Sequence, residues 1–192
     1  MMTVQEEYIK KGKAYKIMLL FAMGSMVMIF AGLTSAYVVS KSRPDWLTDF
    51  QLPIAFLLST IVIVLSSGTF YMAKKSVKEG ANKAAMTYLC LTTLMGLAFV
   101  VLQFIGFGQV VDNGYFFTGS ESTVTTSFLY VIVIVHVIHL IGGMISLLYV
   151  IYNHSKQRYN SAQYIGIELS EWFWHFLGIL WIYLFLFFTF YK

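Results

Sequence analysis

Five stretches of this 192-residue chain lack Asp, Glu, Lys and Arg for long enough to cross a lipid bilayer, at residues 17–39, 50–73, 84–110, 127–153 and 172–191. About 20 residues at a rise of about 1.5 Å each suffice to span the hydrocarbon. Each stretch must be a helix, because in lipid every backbone N–H and C=O has to find its partner within the segment. The short alternating strands of a membrane β-barrel are absent. The pattern predicts an all-α, polytopic membrane protein with five transmembrane helices, forming a single membrane domain over residues 1–192.

The polar connections set the orientation. Lys10, Lys11, Lys13 and Lys16 precede the first span, Lys74, Lys75, Lys78 and Lys83 lie between the second and third, and Lys156 and Arg158 follow the fourth. The other side carries only Lys41, Arg43 and Lys192, and the connection 112–126 has no basic residue. By the positive-inside rule the N-terminus is expected in the cytoplasm and the C-terminus across the membrane. The first span is too long for a signal-peptide core and is read as retained.

Composition agrees and narrows the function classes. With 58% hydrophobic, 18% aromatic and only 11% charged residues, the chain is no soluble globule. The net charge of +4 does not point to nucleic acid, because the basic residues sit in short connections between spans. The single cysteine, Cys90, falls within a span and can form neither an internal disulfide nor a thiolate cluster. Small residues in the first three spans (Ala31, Gly32, Ser35 and Ala36; Ser66, Ser67 and Gly68; Gly96) are expected to mark helix contacts inside the bundle.

Two constellations could carry chemistry. His136 and His139 stand three apart in the fourth span, on one face with Gly143 and Ser146. An imidazole in hydrocarbon needs a partner. Two rings on one helix supply only part of a metal shell, and they cannot grip opposite faces of a haem. His154, in the following connection, and His175 do not complete the set, so His136, His139 and the lone amide Gln103 are assigned to hydrogen bonds between helices, with no metal site. The second constellation opens the last span: Glu168, Glu171, Trp172, Trp174 and His175. Glu171 and His175, four apart, can pair. The carboxylates suit a helix N-terminus, and the two indoles suit the headgroup level. These five residues are the candidate lipid or interface site. No catalytic residue is expected: no span has a charge at its centre, as a proton-coupled carrier needs, and there is no phosphate loop, nucleophile elbow or HExxH motif. A small membrane transporter acting alone is the rival from another class.

An ordered set of motifs then covers nearly the whole chain. It runs from Leu52-Pro53 through Ser67-Gly68, 73–80, Gly96 and Leu102-Gln103 to His136-Val-Ile-His139-Leu-Ile-Gly142-Gly143, and ends in Glu168, Trp172-Phe-Trp174-His175-Phe176 and Trp181. This set resembles subunit III of the haem-copper cytochrome c oxidases, in a short five-helix bacterial form. The resemblance implies an accessory, cofactor-free subunit. It would support the stability, lipid binding and proton uptake of the catalytic subunit during electron transport from cytochrome c to oxygen. By the same resemblance haem and copper are expected in partner subunits, the expected partners are subunits I and II within a larger respiratory supercomplex, and bound phospholipid is expected. The expected location is the bacterial cytoplasmic membrane, as a multi-pass protein. A quinol oxidase subunit III, or a homologue associated with nitric oxide reductase, fits the same residues. The resemblance further implies that the first two helices lean away from the others and leave a lipid-holding cleft. Carboxylates common in the family are missing around Met26, near Gly106 and at Gly178, which favours scaffold and lipid roles over a proton path through this chain.

Overall fold

A computed structural model describes residues 4–44, 46–47, 52–119, 122–160 and 163–191. The expected start of the second span at 50 and the terminal Lys192 lie outside the described residues. Within them the chain forms five long helices and no strand: α1 (Val4–Val39), α2 (Ile54–Lys78), α3 (Asn82–Asp112), α4 (Val124–Ser155) and α5 (Ile165–Phe190). All five are long and apolar enough to cross a membrane.

Each helix outruns its charge-free stretch at one end or both, because its polar ends make their own turns. α1 begins in the lysine-rich leader, where Glu6 and Glu7 occupy the first turn and Glu7 pairs with Lys11 at 2.7 Å. Acidic residues at that end offset the helix dipole. Pro53, with φ −56°, presets the entry to α2. The exit from α2 is a tight reversal in which Gly80 takes φ +75° and Ala81 N–H returns to Ser76 O at 2.9 Å. Only glycine adopts that left-handed conformation without strain, and it lets α3 start at once. Thr123 and Thr126 form a reciprocal cap at the start of α4. His154 extends the last turn of α4 and is not in a connection. It is buried, and its ring Nε2 stands 3.0 Å from Asn82 O at the start of α3.

Successive helices alternate in direction. The start of α1, the end of α2 and the start of α5 therefore meet at one end of the bundle, joined by Lys16–Glu168 and Lys74–Glu171. That is the lysine-rich end.

The packing corrects two expectations. First, α2 does not lean away with α1. It runs along α3 and also packs on α5, burying Phe56, Ser59, Ile63, Ser66 and Phe70. At the α2/α3 seam Gly106 meets the Phe56 ring, and Thr69 and Thr92 share a hydrogen bond of 2.7 Å. A close seam of this kind is what small and hydroxyl residues permit in lipid. Second, the small residues of α1 are not in the bundle. Ala31, Gly32, Ser35 and Ala36 are exposed, and a Cβ added at Gly32 would meet nothing. The inward stripe of α1 is instead Phe30, Thr34 and Tyr37, set against α4 and α5. Bulky rings with more to contact than a methyl group win the inner face, because dispersion grows with the atoms touched. Tyr37 alone has ring contacts to Trp46, Phe128, Phe187 and Phe188.

Candidate functional site

The first turns of α5 carry a ladder of charges that ties it to two other helices. Glu168 accepts from Lys16 of α1 at 2.9 Å, and the same ammonium lies 5.2 Å from the centroid of the Trp172 ring. One turn deeper, Lys74 of α2 closes on Glu171 Oε2. The Glu171 side chain is only 1% exposed, so its carboxylate is removed from solvent and would be an uncompensated buried charge without the lysine. His175 reaches the other carboxylate oxygen only at 3.6 Å, beyond a hydrogen bond. The nearer partner of Glu171 is therefore a lysine from another helix rather than the histidine four residues along.

Below the ladder, α5 is held by indoles. Trp174 Nε1 donates to Ser66 Oγ at 3.0 Å and Trp181 Nε1 to Thr60 Oγ1 at 2.9 Å, both on α2. Trp174 is 1% exposed and sits in the core of this chain, which corrects its assignment to the lipid or interface site. Gly96 makes room for it, and Gly143 makes room for the neighbouring Leu177. A Cβ at Gly96 would stand 2.7 Å from the Trp174 ring and 2.6 Å from Met144 Sδ, and one at Gly143 would be 2.7 Å from Leu177. Trp172, His175 and Glu168 are each half-buried at the lysine-rich end.

The three polar residues expected to bond between helices behave differently from one another. Gln103 does so: its amide donates to Ser59 Oγ of α2 at 2.9 Å. His139 does not, because its Nδ1–H is used on Val135 O of its own helix at 2.7 Å. A carbonyl only accepts, so that nitrogen must carry the proton. His136 is fully buried, and neither ring nitrogen has a hydrogen-bond partner among the described residues. It stands within an aromatic box of Phe30, Phe99 and Trp181, with centroids at 6.2, 6.1 and 5.3 Å. Among the described residues no three of His, Cys, Asp and Glu come together as a metal site.

Two cavities flank the seam between α1 and α5. One, of about 260 Å³, lies at the lysine-rich end and is lined by Tyr8, Gly12, Lys13, Lys16, Tyr164 and Glu168. The other, of about 270 Å³, is an apolar groove deeper along the same seam, lined by Val27, Phe30, Ala31, Phe176, Ile179 and Tyr183. Beyond the helices, burial pushes the Tyr159 phenol above its usual pKa where it packs over Gly166.

The partners Lys16 and Lys74 were not singled out from the chain, where they read only as topology signals. Ser66 and Thr60 likewise carry no mark of their indole partners. A lysine within two residues of an apolar span, facing a carboxylate at the matching edge of another span, is the one signal that could have found Lys74.

A family model for cytochrome c oxidase subunit III matches residues 3–192. The chain is 29% identical over 194 residues to cytochrome c oxidase subunit 3 of Cyprinus carpio, an alignment that covers 92% of this chain and 69% of the relative. The proteins of the same name from Tetraodon nigroviridis and Squalus acanthias are also 29% identical, over 93% and 92% of this chain and 69% of each relative. With the five-helix architecture and a match that begins at residue 3 and ends at the last residue, the chain belongs to the cytochrome c oxidase subunit III family.

Proposed function

We propose that this chain is the accessory subunit III of a terminal haem-copper oxidase. It holds no haem or copper itself, and those groups sit in the partner subunits I and II. The observation that carries the reading is the family match over residues 3–192. The chain braces the catalytic subunit within a bacterial cytoplasmic membrane, its lysine-rich end toward the cytoplasm, and keeps phospholipid at the edge of the complex. Proton uptake by the catalytic subunit depends on that edge staying intact over many turnovers. The charge ladder of α5 supports this division of labour: Glu168 and Glu171 are each occupied by a lysine, so they serve as ties between helices.

Affinity purification of the tagged chain from its native membrane tests the reading. The expected result is co-purification of the haem-bearing and copper-bearing subunits, with no haem or copper spectrum from the chain once separated. A chain that isolates without oxidase subunits, or one that keeps a metal spectrum alone, overturns it.

A further inference from the structure

We infer that the outward face of α4 around His139 and Gly142 is where a transmembrane helix of a partner subunit docks, that helix donating a neutral hydrogen bond to His139 Nε2. This rests on the assembly proposed above and gives it a contact surface and a chemistry.

His139 lies at the middle of α4, about 22–24 Å from either end of the helix at about 1.5 Å per residue. Half of the hydrocarbon core is about 15 Å thick, so neither water nor a headgroup reaches it. The ring is half-buried, with Phe30 of α1 against one side at 5.7 Å between centroids. Its Nδ1–H is spent on Val135 O at 2.7 Å, and a neutral imidazole protonated there presents Nε2 as an acceptor. Among the described residues that acceptor has no donor.

Its own helix cannot supply one, because each N–H inside a helix is already given to the carbonyl four residues back. A hydroxyl escapes that limit by donating: Ser25, on the outer face of α1, returns its proton to Phe21 O at 3.1 Å. Lipid tails hold no donor either. An acceptor left bare in hydrocarbon costs free energy, so the donor comes from another chain.

The surface around His139 is shaped to admit one. Ile138 and Ile145 are 60% and 62% exposed and form a ridge, and Gly142 stands beside it with an open flank where an added Cβ would meet nothing. A glycine at that place lets a second helix backbone approach closely. A charged donor is costly at this depth, which leaves a hydroxyl, an amide or an indole. A second copy of this chain, paired about a twofold axis, would set acceptor against acceptor.

The test uses the oxidase complex purified with this chain in place. A photoreactive benzophenone amino acid replacing Ile138 is expected to form an adduct with a transmembrane peptide of a co-purifying subunit that holds Ser, Thr, Asn, Gln or Trp. Adducts with lipid alone, or with a second copy of this chain, overturn the inference. His139→Leu is expected to lower the amount of this chain retained on the complex through detergent washing about threefold, the average worth of one interhelical hydrogen bond in a membrane. His139→Gln, which keeps an acceptor, restores most of it. Gly142→Leu lowers retention as well, and its added side chain meets nothing within this chain, so the loss reports on the partner. Retention at the wild-type level in both leucine variants overturns the docking face, and a glutamine variant as weak as the leucine one overturns the donor. An adduct with a protein from outside an oxidase would sink the subunit assignment and leave the docking face standing.

Discussion

The seam between α2 and α3 and the attachment of α1 solve the same problem by opposite means. Along α2 and α3, small and hydroxyl side chains draw two helices together: Gly106 against Phe56, Ser59 with Gln103, Thr69 with Thr92. α1 makes no such seam. It is held by an aromatic and hydroxyl stripe, Phe30, Thr34 and Tyr37, by the ion pair Lys16–Glu168 and by the Ile165 N–H bond to the Tyr8 hydroxyl, while most of its circumference stays exposed. Lipid tails are as apolar as leucine, so burial of apolar area does not drive helices together in a membrane. What remains is packing density and paired polar groups, and α2/α3 has much more of both. α1 is thus the helix with surface left over, and two cavities lie beside it along α5.

The comparison can be broken most sharply at the charge ladder. Lys74→Ala strands the Glu171 carboxylate in the core and is expected to cost about 3 kcal/mol, seen as a lower midpoint in thermal unfolding of the detergent-solubilised protein. Replacing both partners, Lys74→Met with Glu171→Leu, should bring the midpoint back close to wild type. A double variant as unstable as the single one would mean the pair is more than a tie. Next, Gly96→Leu drives a side chain into Trp174 and Met144 and should cost about 1–3 kcal/mol, whereas Gly32→Ala on the open face of α1 should stay within about 0.5 kcal/mol. Equal effects at the two glycines would erase the contrast between core and periphery.

A subtler test separates α1 from its neighbours. Phe30→Ala removes its central buried ring and is expected to raise amide hydrogen exchange in α1 while α2 to α5 keep their protection. Uniform loss of protection in all five helices would show α1 to be integral to the bundle. A modest effect is expected from Trp181→Phe, which gives up one hydrogen bond to Thr60 and keeps most of the ring contacts with Phe99 and His136, for about 0.6–1.7 kcal/mol.

Legibility varied with the range of the interaction. The five spans were readable because a run without charge and a bilayer of fixed thickness leave few alternatives. Gly80 and the caps at α4 are local and follow from the residues in place. The histidine pair was readable as a face but not as a set of bonds. His139 turns to its own Val135, and His136 is enclosed by rings from three other helices, none of which its own segment specifies. Trp174 was misplaced for the same reason. An indole near a helix end fits the headgroup level equally well on any side, and partners on other helices, Ser66, Phe70 and Gly96, decide that it points inward.

By itself the amino-acid sequence determined that this chain crosses a membrane five times, gathers its lysines at one end and carries the ordered motifs of subunit III. Each of these is a property of runs and spacings along the chain, set by backbone hydrogen bonding in lipid and the cost of burying charge. Only the tertiary structure decided that α2 belongs to the body of the bundle, that Lys74 answers Glu171, and that the small residues of α1 look outward beside an open seam. Those outcomes depend on how five cylinders turn about their own axes. That rotation is settled by contacts between residues far apart in the chain.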